Sequence, residues 1–223
     1  MMLTIYGHPL SSYTQKVLVA LYETGAPFTF RQIDLGDPED RALMKRIEPM
    51  GRMPGLRDEA RGVILSQSSV MIDYVQLHYP ATRKLLPADL DAAFLARQWD
   101  RFFDFQVNGI AQQIVDARLF MGEGAEAPVS AFARDKLDLA YDALDHHLQN
   151  REWAAGDYGL ADCAASPALF YAGILQPFGD RPVLSAYFER LLARPSFHRA
   201  RTEALPCLKL FPFPELIPAR FLT

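Results

Sequence analysis

The chain has 223 residues, a formal net charge of -4 and a sequence pI near 5.7; 50% of its residues are hydrophobic and 22% charged. That balance suits a globular protein of one large or two modest domains and gives no reason to expect a nucleic-acid partner. The N-terminus runs straight into the apolar segment Leu3 to Tyr6, without the basic region and long apolar stretch of a secretory signal or membrane span, so a cytoplasmic protein with no membrane partner is expected. Cys163 and Cys207 lack metal-type spacing and read as reduced structural thiols, and no metal site is expected.

Ile5 to Leu21, IYGHPLSSYTQKVLVAL, predicts a short strand, a loop carrying His8 and Pro9, and two serines at the mouth of an amphipathic helix. Val17, Leu18, Leu21 and Tyr22 recur there at helical spacing. Free N–H groups at such a helix start, and the positive end of its dipole, favour an anion. Gly25 is a plausible helix cap before Pro27, Phe28 to Asp34 alternates like a strand, and Asp37-Pro38 reads as an N-cap followed by proline at the first helical position. The strand, helix, strand, helix order predicts a parallel pair in an α/β sheet. Met50 to Asp58, MGRMPGLRD, leads into a hairpin whose second arm is Gly62 to Leu65. Ser66 to Tyr79 then begins a helix, with Ser66 or Gln67 as N-cap and Val70, Met71, Tyr74, Val75 and His78 in a stripe.

The segment 80–88 is bracketed by Pro80 and Pro87 and reads as a linker between a domain of residues 1–79 and one of residues 89–223. Beyond it helical periods take over. Asp89 to about Phe120 places Phe94, Leu95, Trp99, Phe102, Phe103, Val107, Ile110, Ile114 and Val115 on one broad face. Val129 to Gln149 does the same with Phe132, Leu137, Leu139, Tyr141, Leu144 and Leu148. Ala154 to Ala172 is the centre of this second domain, and Pro182 and Pro195 open two short helices. The proline-rich, aromatic tail after Ala204 packs either over the second domain or near a substrate site.

Three segments carry a resemblance: Ile5 to Leu21, MGRMPGL (Met50 to Leu56) and SQSSVM (Ser66 to Met71). In this order and spacing they resemble the N-terminal domain of the cytosolic glutathione transferase superfamily. The resemblance implies an α/β thioredoxin-like N-terminal domain followed by an all-α C-terminal domain. Both positions of the thioredoxin Cys-x-x-Cys pair are hydroxyl residues here, Ser11 and Thr14, so disulfide chemistry is not expected. By the same resemblance Pro54 is a cis proline, and Met53 offers its backbone to the cysteinyl part of glutathione. Gln67 and Ser68 hold the γ-glutamyl end, and Arg52 reaches the glycyl carboxylate. Family members have Ser or Thr three residues before the Asp that caps the buried C-terminal helix; here Gly159 precedes Asp162, which is read as structural.

A thiol near its reference pKa of about 8.5 is mostly protonated at neutral pH, whereas the thiolate is the nucleophile. Ser11 matches the residue that donates a hydrogen bond to sulfur in the serine-type classes (zeta, tau, theta and bacterial relatives), with Ser12 the reserve candidate. The bland reading is that either serine only caps the helix. Tyr6 could be a tyrosine-type activator, although it lies on the strand and is expected inside the core. His8 could polarise a ligand, and Asp100 or Asp104 could reach across to a partner subunit's glutathione. The resemblance thus implies a homodimeric glutathione transferase that adds its co-substrate glutathione to a small electrophile. Alternatives are a glutathione-dependent cis–trans isomerase like maleylacetoacetate isomerase, supported by Gln67-Ser68 and the double serine although Tyr13 replaces a cysteine of that pattern, and a non-catalytic binding or regulatory protein of the same fold.

Overall fold

The computed structural model describes residues 3–79 and 83–222. Strand β1 (Leu3–Gly7), helix α1 (Ser12–Thr24), β2 (Phe28–Gln32), α2 (Pro38–Ile47), β3 (Gly55–Asp58), β4 (Val63–Ser66) and α3 (Ser68–His78) form the first unit. The sheet order is β2-β1-β3-β4, with β1 parallel to β2 and antiparallel to β3, and with β3 and β4 a hairpin. This is the thioredoxin-like arrangement expected. Gly25 ends α1 in the left-handed region at φ 70°, and Asp37 caps α2 by accepting from the Glu39 N–H at 2.8 Å.

Alternation along β1 sends Leu3 and Ile5 to the face covered by α1 and α3, while Tyr6 points to the other face, where α2 supplies Met44 and Ile47. Helix α1 is buried on nearly every side, Gln15 and Lys16 included, where the sequence pattern marks a single apolar face. The reason is position: α1 lies between its own sheet, α3 and the helices of the second unit.

That second unit is all-helical: α4 (Leu90–Phe102), a π-helical turn (Phe103–Asn108), α5 (Gly109–Phe120), α6 (Glu123–His147), α7 (Leu160–Leu175), α8 (Pro182–Leu192) and α9 (Pro195–Ala204). Of the expected apolar stripe, Phe103, Val107, Ile110 and Ile114 are buried, but Phe94 is 67% and Leu95 55% exposed. The inward face of α4 is Ala93, Ala96 and Asp100 instead, small residues and a carboxylate that let it lie close to α7. On α6, Leu137, Tyr141, Leu144 and Leu148 are buried while Phe132 and Leu139 are exposed. That helix begins at Glu123 and carries Pro128 within it. Among the described residues no helix is long and apolar enough to cross a membrane.

Helix α7 is the core of this unit. Asp162 accepts from the Gly159 and Ala154 N–H groups, each at 2.9 Å, and from the Tyr187 hydroxyl at 2.6 Å, so its role is structural. Residues 80–82 of the expected linker lie outside the described residues; the rest of it is pinned. Leu85 and Leu86 donate their N–H groups to Gln76 Oε1, and the Leu85 carbonyl accepts the Leu160 N–H at 2.8 Å. A Cβ at Gly159 would lie 2.5 Å from that carbonyl oxygen, which is why glycine stands where a hydroxyl cap is otherwise favoured. The tail forms three 3-10 turns (Leu205–Leu210, Pro214–Leu216, Ala219–Phe221) and packs back over the helical unit. Phe211 meets Tyr171, Phe221 meets Phe170, and Arg118 pairs with Glu215 at 2.6 Å.

The two units are joined by a buried ion cluster. Lys16 of α1, 1% exposed, places its ammonium 2.6 Å from Asp100 and 2.7 Å from Asp104, and donates to Ser69 of α3 at 2.7 Å. Ser69 donates in turn to Asp100 at 2.8 Å, and Arg101 closes the set from the solvent side at 2.6 Å from Asp100 and 2.9 Å from Asp104. Two cations meet two carboxylates, so the cluster is neutral. Removing one member of a buried ion set strands the others, at about 3–5 kcal/mol. Lys16→Met is therefore expected to lower unfolding stability by about that amount in denaturant titrations; a change under about 1 kcal/mol would contradict the cluster's role. Gly159→Ser would restore the missing hydroxyl yet is expected to destabilise by about 1–3 kcal/mol, read as a lower melting temperature, because the Leu85 backbone must move.

Candidate functional site

The sheet register gathers the candidate residues. Tyr6 pairs with Gly55, and Gly55 with Ser66, so three segments meet at one edge of the sheet. They are the loop after β1 (His8 to Ser11), the residues before β3 (Arg52 to Pro54) and the residues after β4 (Gln67 and Ser68). Helices α1 and α3 both start at this edge. Neither has an acidic residue in its first turn, whereas α2 carries Glu39 and Asp40 in its own. Two positive helix ends are left without carboxylates of their own, which suits an anionic ligand.

At the first helix, Ser11 is the N-cap, in extended conformation, and its Oγ accepts from the Thr14 N–H at 3.3 Å. The hydroxyl proton has no acceptor among the described residues, so the cap leaves its donor free. Ser12 occupies the first helical position, half-buried. A Cβ on Gly7 would sit 2.5 Å from Thr14 Oγ1, so glycine at the strand end lets the helix begin against it. The loop is closed by Ser11 N–H donating to the His8 carbonyl at 2.9 Å and by Leu10 N–H donating to His8 Nδ1 at 3.2 Å. Burial lowers the His8 pKa, with Asp34 opposing, so the ring is neutral at neutral pH and serves the turn.

The Met53–Pro54 peptide is cis, as the resemblance implies. Met53 is half-buried against the Ile33, Met44 and Ile47 cluster, and Pro54 is buried. Arg52 keeps an exposed side chain, while its N–H donates to Glu48 Oε2 at 2.8 Å. Burial raises the Tyr13 phenol pKa, with the Asp104 charge acting in the same direction and Arg101 and Arg52 opposing it. At the second helix Gln67 has φ 73° and ψ 108°, a left-handed backbone for a non-glycine residue, and its side chain makes no cap bond. Strain of this kind, about 1–3 kcal/mol, gathers at ligand sites. Gln67 is exposed and Ser68 is buried directly behind it.

Other candidates fall away. Tyr6 is only half-buried, on the α2 face of the sheet with Met53, and so points away from the α1 mouth. Asp100 and Asp104 are consumed by Lys16 and Arg101 of their own chain, and Tyr13 donates its hydroxyl to the Asp104 carbonyl at 3.0 Å. Three residues behind the site escape a reading by pattern: Gln15, Lys16 and Ser69. The available signal was two polar residues interrupting the inward face of α1, with Asp100 and Asp104 four apart to receive a lysine.

Comparison with known proteins gives the family. Residues 5–83 match the family model described as "Glutathione S-transferase, N-terminal domain", and residues 110–195 the one described as "Glutathione S-transferase, C-terminal domain". The chain is 26% identical over 210 residues to glutathione S-transferase GstB of Escherichia coli strain K12, covering 89% of this chain and 97% of that protein. A glutathione S-transferase of Methylobacillus flagellatus, solved with glutathione bound, superposes with a TM-score of 0.80 at 24% identity, covering 89% of this chain and 98% of that one. A zeta-class maleyl pyruvate isomerase superposes at 0.74 with 23% identity, covering 88% and 95%. With both domain models in their proper order on a thioredoxin-like unit and a helical unit, the chain belongs to the cytosolic glutathione S-transferase superfamily.

Proposed function

We propose that the protein is a serine-type glutathione transferase in which Ser11 stabilises the glutathione thiolate for attack on a small electrophile. As a member of this family the chain is a glutathione S-transferase with glutathione as co-substrate. The observation that carries the mechanism is the pair of helix N-termini, free of acidic residues, at one sheet edge with the unengaged Ser11 hydroxyl proton between the loop and α1. Glutathione is a net anion at neutral pH and becomes more so on losing its thiol proton, so its charge distribution fits this edge.

In this reading Ser11 donates its hydroxyl hydrogen to sulfur, and the α1 N-terminus adds its field. The thiol proton leaves to solvent, and a sulfur lone pair forms the new bond to the electrophilic carbon as the leaving group departs with its bonding pair or, at an activated double bond, as the π pair moves to the neighbouring carbon, which then takes a proton from solvent. Gln67 and Ser68 hold the γ-glutamyl carboxylate at the start of α3, the Met53 backbone pairs with the cysteinyl unit beside Pro54, and Arg52 meets the glycyl carboxylate. Ser12, one residue into α1, is the second hydroxyl within the same field. Its presence beside Ser11, with Gln67-Ser68, also favours the zeta-like isomerase reading, in which the same thiolate adds to a double bond and later leaves. Turnover of maleylacetoacetate without net loss of glutathione would separate that chemistry from transfer.

A homodimer and a cytoplasmic location complete the proposal; the two unpaired cysteines suit the latter. The dimer reading rests on exposed apolar side chains aligned on neighbouring helices. Val70 and Leu77 lie on one face of α3, Leu90 and Phe94 on one face of α4, and Asp73 of the first face pairs with Arg97 of the second at 3.5 Å. Phe94→Asp is expected to shift the protein from dimer to monomer in sedimentation velocity; a monomeric parent protein would refute the interface.

For the catalytic claim, Ser11→Ala is expected to lower kcat/KM toward a chloronitroaromatic electrophile by about 10²-fold and to abolish thiolate absorbance of bound glutathione, as for loss of one donor to a developing anion. Ser12→Ala should change either readout by less than about threefold. A loss confined to the Ser12 variant would transfer the role to Ser12, and glutathione binding with no thiolate in the parent protein would leave the non-catalytic reading ahead.

A further inference from the structure

Gln15 stands one helical turn beyond Ser11 on α1 and is 1% exposed. Its backbone N–H donates to the Ser11 carbonyl at 2.9 Å, as the helix requires. Its side chain does something the helix does not require. Nε2 donates to the Pro9 carbonyl at 2.8 Å and to the Tyr171 hydroxyl oxygen of α7 at 2.9 Å. A carbonyl only accepts, so the nitrogen end of the amide must face Pro9 and the orientation is fixed by chemistry.

Pro9 lies between the two residues that close the loop, His8 and Ser11. Without an N–H of its own it contributes only this carbonyl to hydrogen bonding. The backbone atom that Gln15 grips is therefore in the segment that sets where the Ser11 hydroxyl points. The other end of the grip is rigid: Tyr171 is buried, in ring contact with Phe170 at 5.1 Å and with Phe211 of the tail at 5.5 Å. Burial raises the Tyr171 phenol far above its ordinary range, so it remains a hydroxyl across the working pH. Gln15 and Tyr171 both border a small cavity closed by Leu205, Leu208 and Phe221 of the tail. Gln15 Oε1 is buried with no partner among the described residues. An apolar side chain of similar shape would avoid that unsatisfied acceptor, so packing alone does not account for an amide here.

We propose that Gln15 is a positioning residue for thiol activation: it ties the Pro9 carbonyl to Tyr171 and so holds the Ser11 loop against the helical unit. The proposal rests on the Ser11 reading above. It makes the tail-covered face of α7 part of the support for the catalytic loop, through Tyr171.

The test uses the full-length protein with Gln15→Met, close in shape but without donors, and Tyr171→Phe. Two readouts are needed: the pH dependence of thiolate absorbance with glutathione bound, and kcat and KM for glutathione. Gln15→Met is expected to raise the apparent pKa of the bound thiol by about one unit and lower kcat about tenfold, with KM within about twofold, because misplacement of an activating group weakens the reacting state more than binding. Tyr171→Phe should move both in the same direction by less. A folded Gln15→Met protein with parental thiol pKa and kcat overturns the proposal while leaving Ser11 in place. If Gln15→Met does not fold, Tyr171→Phe decides in the same way. Absence of any thiolate in the parent protein overturns the Ser11 reading and this inference together.

Discussion

Everything at the site depends on Lys16 being buried with its partners. A lone ammonium inside a protein would lose its charge or its place; here two carboxylates and a hydroxyl surround it, and the cluster draws those partners from α3, α4 and the π-helical turn. The π turn has a structural consequence. Asp100 lies in α4 and Asp104 within the wider turn, both carboxylates reach the same ammonium, and a Cβ on Gly109 would stand 3.2 Å from the Asp104 carbonyl oxygen, a tight contact that glycine avoids. A hydrophobic replacement of the whole set could be as stable, but it would not fix which turn of α1 faces which turn of α3 and α4. The cluster specifies register, and register places the two helix starts side by side.

In the proposed mechanism those helix starts divide the work. The α1 start offers field and a hydroxyl donor, the α3 start offers field and a strained N-cap, and the strand end between them supplies the backbone of Met53. The arrangement needs no buried charge of its own at the ligand edge: His8 is held neutral, Tyr13 donates to the Asp104 carbonyl, and Arg52, in the segment before β3, is exposed. Placing the ion cluster behind the site and leaving the front to amides and hydroxyls separates stability from recognition. Under the proposed mechanism, a change to Gln67, which is exposed, alters binding without opening the core.

Much of this was legible in the sequence because it is written in local chemistry. Gly25, Asp37-Pro38 and Pro182 are start and stop signals whose physics acts within a few residues, and the α/β order of the first unit follows from the first two. The gathering of Ser11, Pro54 and Gln67 rested on likeness to a family, since no periodicity brings residues so far apart to one sheet edge. Pattern reading failed where a helix had more than one buried face or turned small residues inward in place of large ones. Lys16 and Gln15 look like a solvated stripe until α1 is enclosed, and Phe94 and Leu95 look like core until Ala93 and Ala96 take the inward positions. Gly159 shows a third limit. Its reason is the carbonyl of Leu85, a backbone atom 74 residues away in a segment that reads as linker.

In the proposed mechanism this edge takes up glutathione in its ionised form. The direct measurement is calorimetric binding of reduced glutathione near pH 7 in buffers of different ionisation enthalpy, which counts protons exchanged on binding. Release of a substantial fraction of a proton per site is expected, because a thiol that is mostly protonated free in solution becomes a thiolate when bound. Binding with no proton release, or no binding at millimolar glutathione, would contradict it.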